Sequence, residues 1–186
     1  LSGCGDEASA PKHTNSAAAP ATATSTPWFR THEPFEFTWV SGASGDFAMP
    51  EIIGGGIALI DYDGDEDLDV YFVQGGDLHA ARDTDTPHNH MNRLFRNDGN
   101  FNFVDVTEAA GAGDRGYGMG VAVGDIDQDG DPDLYITNVG RNTLLRNDNG
   151  VFVDVTEQSG TGNEGWGASA AFFDADLDGD LDLFAT

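Results

Sequence analysis

The chain has 186 residues, 39% of them hydrophobic and 10% aromatic, with 25 glycines; this is the composition of a turn-rich globular protein and not of a disordered one. Acids outnumber Lys and Arg by 33 to 8, for a net charge of −25, and such a surface repels phosphate backbones, so nucleic acid and anionic membrane faces are set aside as partners. A single cysteine, Cys4, allows neither a disulfide framework nor a cysteine-based metal site.

In chain order, Leu1-Ser2-Gly3-Cys4 comes first. It resembles the lipobox of bacterial lipoproteins, which implies cleavage before Cys4, lipidation of its thiol, and residues 1–3 as the remnant of a signal peptide. Residues 4–34 then read as a disordered tether of Ala, Thr, Ser and Pro, as in Ala17-Ala18-Ala19-Pro20, because nothing in them can bury a core. No stretch approaches the ~20 apolar residues of a spanning helix. Attachment to a membrane is therefore expected through the lipid alone, at the bacterial cell envelope (outer membrane, periplasmic side or cell surface), with secretion as the alternative.

Residues 35–186 read as the folded body, and they repeat. Asn92-Arg93-Leu94-Phe95-Arg96-Asn97-Asp98 returns as Asn142-Thr143-Leu144-Leu145-Arg146-Asn147-Asp148, and Asp105-Val106-Thr107-Glu108 returns as Asp154-Val155-Thr156-Glu157. Phe103 and Phe152 lie 49 residues apart, as do Asp125 and Asp174, whereas Asp61 and Asp125 lie 64 apart. The longer spacing comes from a polar insertion around Gly75 to His90. Apolar runs such as Ile57–Ile60, Val70–Val73, Val121–Val123 and Leu134–Thr137 predict strands covered on both faces. Leu94–Arg96 and Leu144–Arg146 predict a third strand, closed by Asn97-Asp98-Gly99 or Asn147-Asp148-Asn149-Gly150, which supply the positive φ of tight turns. In the fourth strand Val153 and Val155 are expected on one side, with Asp154 and Thr156 on the other. No segment shows helical periodicity. Four antiparallel strands per unit predict an all-β fold, a β-propeller with about two and a half blades in this chain. A closed ring needs more, so the chain is expected to be part of a longer protein.

Between the first two strands of each unit stands a window with an aspartate at every second position. The windows are Asp61, Asp63, Asp65, Asp67, Asp69; Asp125, Asp127, Asp129, Asp131, Asp133; and Asp174, Asp176, Asp178, Asp180, Asp182. Carboxylates held 4 Å apart repel by roughly 4 kcal/mol per pair at an effective dielectric of 20, so a hard cation is implied. All-oxygen ligation from an acidic loop points to Ca²⁺ before Mg²⁺ or Zn²⁺. An EF-hand is excluded because position 12 is Phe72, Ile136 or Ala185 where it needs Glu, and because strands flank every window. The carboxylate at position 9 replaces that ligand.

Pro50-Glu51-Ile52-Ile53-Gly54-Gly55-Gly56-Ile57-Ala58-Leu59-Ile60-Asp61-Tyr62-Asp63-Gly64-Asp65, Leu94-Phe95-Arg96-Asn97-Asp98-Gly99 and the two Asp-Val-Thr-Glu segments carry a resemblance. The chain resembles the FG-GAP/VCBS repeats of calcium-bound β-propellers, related to those of integrin α-chain heads, and more narrowly the cartilage acidic protein (ASPIC/UnbV-associated) family. The resemblance implies Ca²⁺ ligation by the side chains at positions 1, 3, 5 and 9 and by the main-chain carbonyl at position 7. Glu66, at position 6 of the first window, departs from the Gly130 and Gly179 of the others and must strain or reshape that turn.

Other motifs read more plainly. His88-Asn89-His90, with His79, is a solvated loop. Gly116-Tyr117-Gly118-Met119-Gly120 precedes a strand and opens no helix, so it is no phosphate loop, and its glycines permit close packing. Tyr117 and Trp166 share one place in the repeat and read as packing anchors. No hydrolase elbow, metalloprotease helix or Cys/His nucleophile pair is present in the sequence. The expected function is that of a calcium-binding, non-catalytic surface or periplasmic lipoprotein that engages a protein or glycan ligand. The alternative is a polysaccharide lyase built on a calcium-binding propeller.

Overall fold

Strands form where the apolar runs lie, and a computed structural model describes them over residues 35–78 and 90–186. Cys4, the tether, His79 and His88 lie outside the described residues. After a single helical turn, α1 (Met49–Ile52), come β1 (Ile57–Ile60), β2 (Asp69–Phe72), β3 (Arg93–Asn97) and β4 (Phe103–Asp105). They form an antiparallel sheet in the order β1-β2-β3-β4. The second repeat gives β5 (Tyr117–Gly124), β6 (Asp133–Val139), β7 (Thr143–Asn147) and β8 (Phe152–Asp154), with the same order and a second one-turn helix, α2 (Thr156–Ser159). The third contributes β9 (Ala170–Phe173) and β10 (Asp182–Ala185), an antiparallel pair. No sheet closes on itself among the described residues.

The expected all-β, antiparallel architecture is present, with corrections of detail. Glycines 118 and 120 lie inside a strand, not before one: β5 begins at Tyr117 and carries a bulge between them. Their lack of side chains is needed there, since a Cβ on Gly118 would stand 2.2 Å from Val73 Cγ1. Strands covered on both faces occur at β6, which is buried throughout, but β1 alternates and leaves Ile57 and Leu59 exposed. The alternation expected through Thr156 is not followed: β8 buries Phe152, exposes Val153 and ends at Asp154, and the buried Thr156 is the first residue of α2. The two helical turns are too short to leave a periodic signal. Gly160, at φ 70, ends α2 in the left-handed conformation that glycine adopts without steric cost.

Consecutive sheets share their cores. Ala58, Ile60, Tyr71 and Leu94 of the first sheet pack with Leu134, Ile136, Leu145 and Phe152 of the second. On its other face, Ala122, Tyr135 and Leu144 of the second pack with Ala170, Phe172 and Leu183 of the third. Equivalent positions serve equivalent roles: the Tyr71 hydroxyl donates to the Ala112 carbonyl and the Tyr135 hydroxyl to that of Thr161, both at 2.9 Å. The outer face of the first sheet is covered by the segment entering it, where Phe35 and Phe37 pack on Phe72 with ring centroids 5.1 and 4.6 Å away. Tyr117 is buried and donates to the Ser41 carbonyl at 2.8 Å, as a packing anchor should. Trp166 is 45% exposed, since the described residues supply no equivalent cover over it.

Candidate metal centre

All three windows fold alike, because the first aspartate caps the loop that follows it. Asp61 Oδ1 accepts from the Asp65 N–H at 3.1 Å and Oδ2 from that of Glu66 at 3.1 Å. Asp125 does the same for Asp129 and Gly130, and Asp174 for Asp178 and Gly179. Position 5 accepts from the N–H of position 7: Asp65 from Asp67 and Asp129 from Asp131 at 2.9 Å, and Asp178 from Asp180 at 3.0 Å. The ninth position ties the window to the sheet. Asp69 Oδ2 accepts from the Tyr62 N–H at 3.0 Å and Oδ1 from that of Asn97 at 2.8 Å; Asp133 accepts from Ile126 and Asn147 at 2.7 Å each. Asp182 accepts from Ala175 at 2.8 Å.

The carboxylates that converge are those at positions 1, 3 and 9. Oxygens of Asp61, Asp63 and Asp69, of Asp125, Asp127 and Asp133, and of Asp174, Asp176 and Asp182 all lie within 4.8 Å of one another in their group. Asp65, Asp129 and Asp178 at position 5, and Asp67, Asp131 and Asp180 at position 7, stand outside these groups; Asp131 accepts instead from the Asn149 N–H and Asp180 from the Gln128 amide. The donor chemistry fits a hard divalent ion. Each group is all-oxygen, and two ligands 2.3–2.6 Å from one Ca²⁺ stand at most about 5 Å apart.

Burial sharpens the electrostatics at position 9. Asp69 and Asp133 are fully buried, while Asp182 is exposed, lacking a third-strand Asn among the described residues. Burial pushes the Asp133 carboxyl up to about 6, with Asp127 and Asp125 adding to the rise against the hydrogen bonds from Ile126 and Asn147. Asp69 is raised for the same reason. Asp63 is raised by burial and by its neighbour Asp65.

Glu66 does not reshape its turn. It takes φ 72, the left-handed conformation that Gly130 and Gly179 hold at φ 99 and 97, and it makes the same bond to position 1. Position 4 is also left-handed in every window, at Gly64, Gln128 and Leu177 (φ 74, 60 and 64). Sequence reasoning missed this, since only one of the three is glycine. It also missed Arg96 and Arg146, whose repetition was visible in the Arg-Asn-Asp segments. Arg146 Nε lies 2.8 Å from Asp148 and 3.8 Å from Asp127 at position 3 of its window. Arg96 pairs with Asp98 at 2.7 Å.

Tandem antiparallel sheets, each with an acidic window joining its first two strands, define a repeat protein with one candidate cation site per repeat. Residues 61–136 and 126–185 match the FG-GAP-like repeat family, and the chain belongs to that family. Among curated proteins no match was found.

Proposed function

We propose that this is a calcium-binding, non-catalytic repeat protein in which the ion is part of the fold. The observation that carries the reading is the threefold recurrence of one converging trio, at positions 1, 3 and 9, whose ninth member is buried in the first two repeats. Without a cation each trio gathers like charges, in the first two repeats around a buried carboxylate, a cost that a divalent ion would reverse. The ion would sit between the loop, held by position 1, and the sheet, held by position 9. Asp61, Asp63 and Asp69 and their counterparts would hold it; the resemblance adds the side chain at position 5 and the carbonyl at position 7, contributed by Asp65 and Asp67, Asp129 and Asp131, and Asp178 and Asp180.

Face-on-face stacking of consecutive four-stranded units supports a β-propeller of the FG-GAP/VCBS type. Within this reading the chain is a bacterial lipoprotein of the cartilage acidic protein kind, anchored through Cys4, on which the propeller engages a protein or glycan ligand by analogy with its family. The test is thermal unfolding of the full chain in millimolar calcium and in EGTA. Ligand binding to the native state alone raises the melting temperature, and an identical melt in both buffers would remove the structural ion.

A further inference from the structure

The three windows are tied to one another by two side-chain amides. Asn147, at the end of β7, lies between the first and second. Its N–H donates to Asp133 Oδ1 at 2.7 Å, and its amide donates to the Tyr62 carbonyl at 2.8 Å. Tyr62 in turn donates its N–H to Asp69 Oδ2 at 3.0 Å. Position 9 of one window is thus linked, through two residues, to position 9 of the next. Gln128 joins the second window to the third. From position 4 its Nε2 donates to the Gly179 carbonyl at 2.9 Å and to Asp180 Oδ1 at 2.8 Å, across sequence separations of 51 and 52 residues. Gly179 and Asp180 are positions 6 and 7 of the third window, where the Gly179 N–H donates to Asp174 Oδ2 at 3.1 Å. The backbone of Gln128 is left-handed, a conformation glycine adopts more readily and Gly64 supplies in the first window. What glutamine adds at that place is the amide.

Resting on the cation reading above, we propose that Asn147 and Gln128 couple the three windows, so that a divalent cation held in one orders the next and raises its affinity. A cation on Asp125, Asp127 and Asp133 fixes the loop that carries Gln128, and Gln128 fixes the peptide between Gly179 and Asp180. The third window then has less ordering left to do when its own cation arrives, which is positive cooperativity through conformational entropy. By linkage the effect runs equally in the other direction.

The glycine amides give a reporter for each window, because the N–H groups of Gly64, Gly130 and Gly179 are bonded to Asp61, Asp125 and Asp174. Their NMR resonances are followed as calcium is added to the full chain and to Gln128→Gly, which suits the left-handed backbone and removes the side chain that carries the amide. In the native chain Gly130 and Gly179 titrate over the same calcium range. In the variant the Gly179 midpoint moves to about fivefold higher calcium or more, while Gly64 and Gly130 stay together. A Gly179 midpoint that the substitution does not move overturns the coupling and leaves the cation reading standing. Resonances that calcium does not move even in the native chain overturn both.

Discussion

Asn147 and Tyr62 meet across the boundary between two repeats, the buried amide of the first donating to the main-chain carbonyl of the second over 2.8 Å. The same side chain reaches the Pro132 carbonyl at 3.3 Å and accepts from the Gly150 N–H at 2.8 Å. Asn147→Ala strands several of these groups, and each buried unpaired group costs about 1–3 kcal/mol. We expect a loss of about 3 kcal/mol in urea unfolding, against about 1 kcal/mol for the half-buried Asn97→Ala, whose amide donates to the Leu68 carbonyl at 3.2 Å and accepts from the Gly99 N–H at 3.1 Å, both within its own repeat. Equal losses would contradict the inter-repeat role.

Glu66 holds a left-handed backbone at φ 72 that costs a non-glycine residue roughly 1–2 kcal/mol. Glycine removes that cost but adds about 0.5–1 kcal/mol of unfolded-state freedom. Glu66→Gly is therefore expected to stabilise the chain by about 0.5–1 kcal/mol, read as a rise in melting temperature. A fall would show that the Glu66 side chain supports the loop.

Thr156 and Thr107 each replace one strand hydrogen bond with a hydroxyl. The buried Thr156 Oγ1 accepts from the Leu144 N–H at 2.8 Å, and Thr107 Oγ1 accepts from Leu94 at 2.9 Å. Thr156→Val keeps the shape and leaves that N–H unpaired, for a predicted loss of about 1–3 kcal/mol. Thr156→Ser should recover most of it in the same unfolding measurement.

Asp133 supplies a pH signature. Its folded pKa, about 6, lies above the ordinary 3.8, so in calcium-free protein its contribution to stability is fully present below 3.8 and is lost as pH rises through 6. The EGTA-treated chain should melt higher at pH 5 than at pH 7, with a shallower slope in Asp133→Asn. Protons and calcium compete for this carboxyl, so the calcium-induced gain should shrink at pH 5. A slope that Asp133→Asn leaves unchanged would place the titration elsewhere.

Much of this was legible in the chain because a repeat reports its own register. The two Asp-Val-Thr-Glu segments and the evenly spaced aspartates located strands, turns and windows, and the positive φ expected of the β7–β8 turn appears at Asn149 and Gly150. Legibility failed where one residue type serves two ends. Alternation puts Thr156 on the side of Asp154 in a fourth strand, but its hydroxyl is spent on the neighbouring backbone. Within each window, alternation made five aspartates look equivalent. Convergence separates them: the carboxylates at positions 1, 3 and 9 gather into a trio, and those at positions 5 and 7 stand outside it. Gln128 carried no signal, since its partners lie in the following repeat.

Calorimetric titration of calcium into the chelator-treated full chain tests the central claim most directly. Three ions per chain are expected, one for each converging trio, with affinities of about 10⁻⁴ to 10⁻³ M, and Asp61→Asn, Asp125→Asn and Asp174→Asn together should abolish the heat. No saturable heat at millimolar calcium, or the same heat from the triple variant, would contradict the claim that these windows are built around an ion.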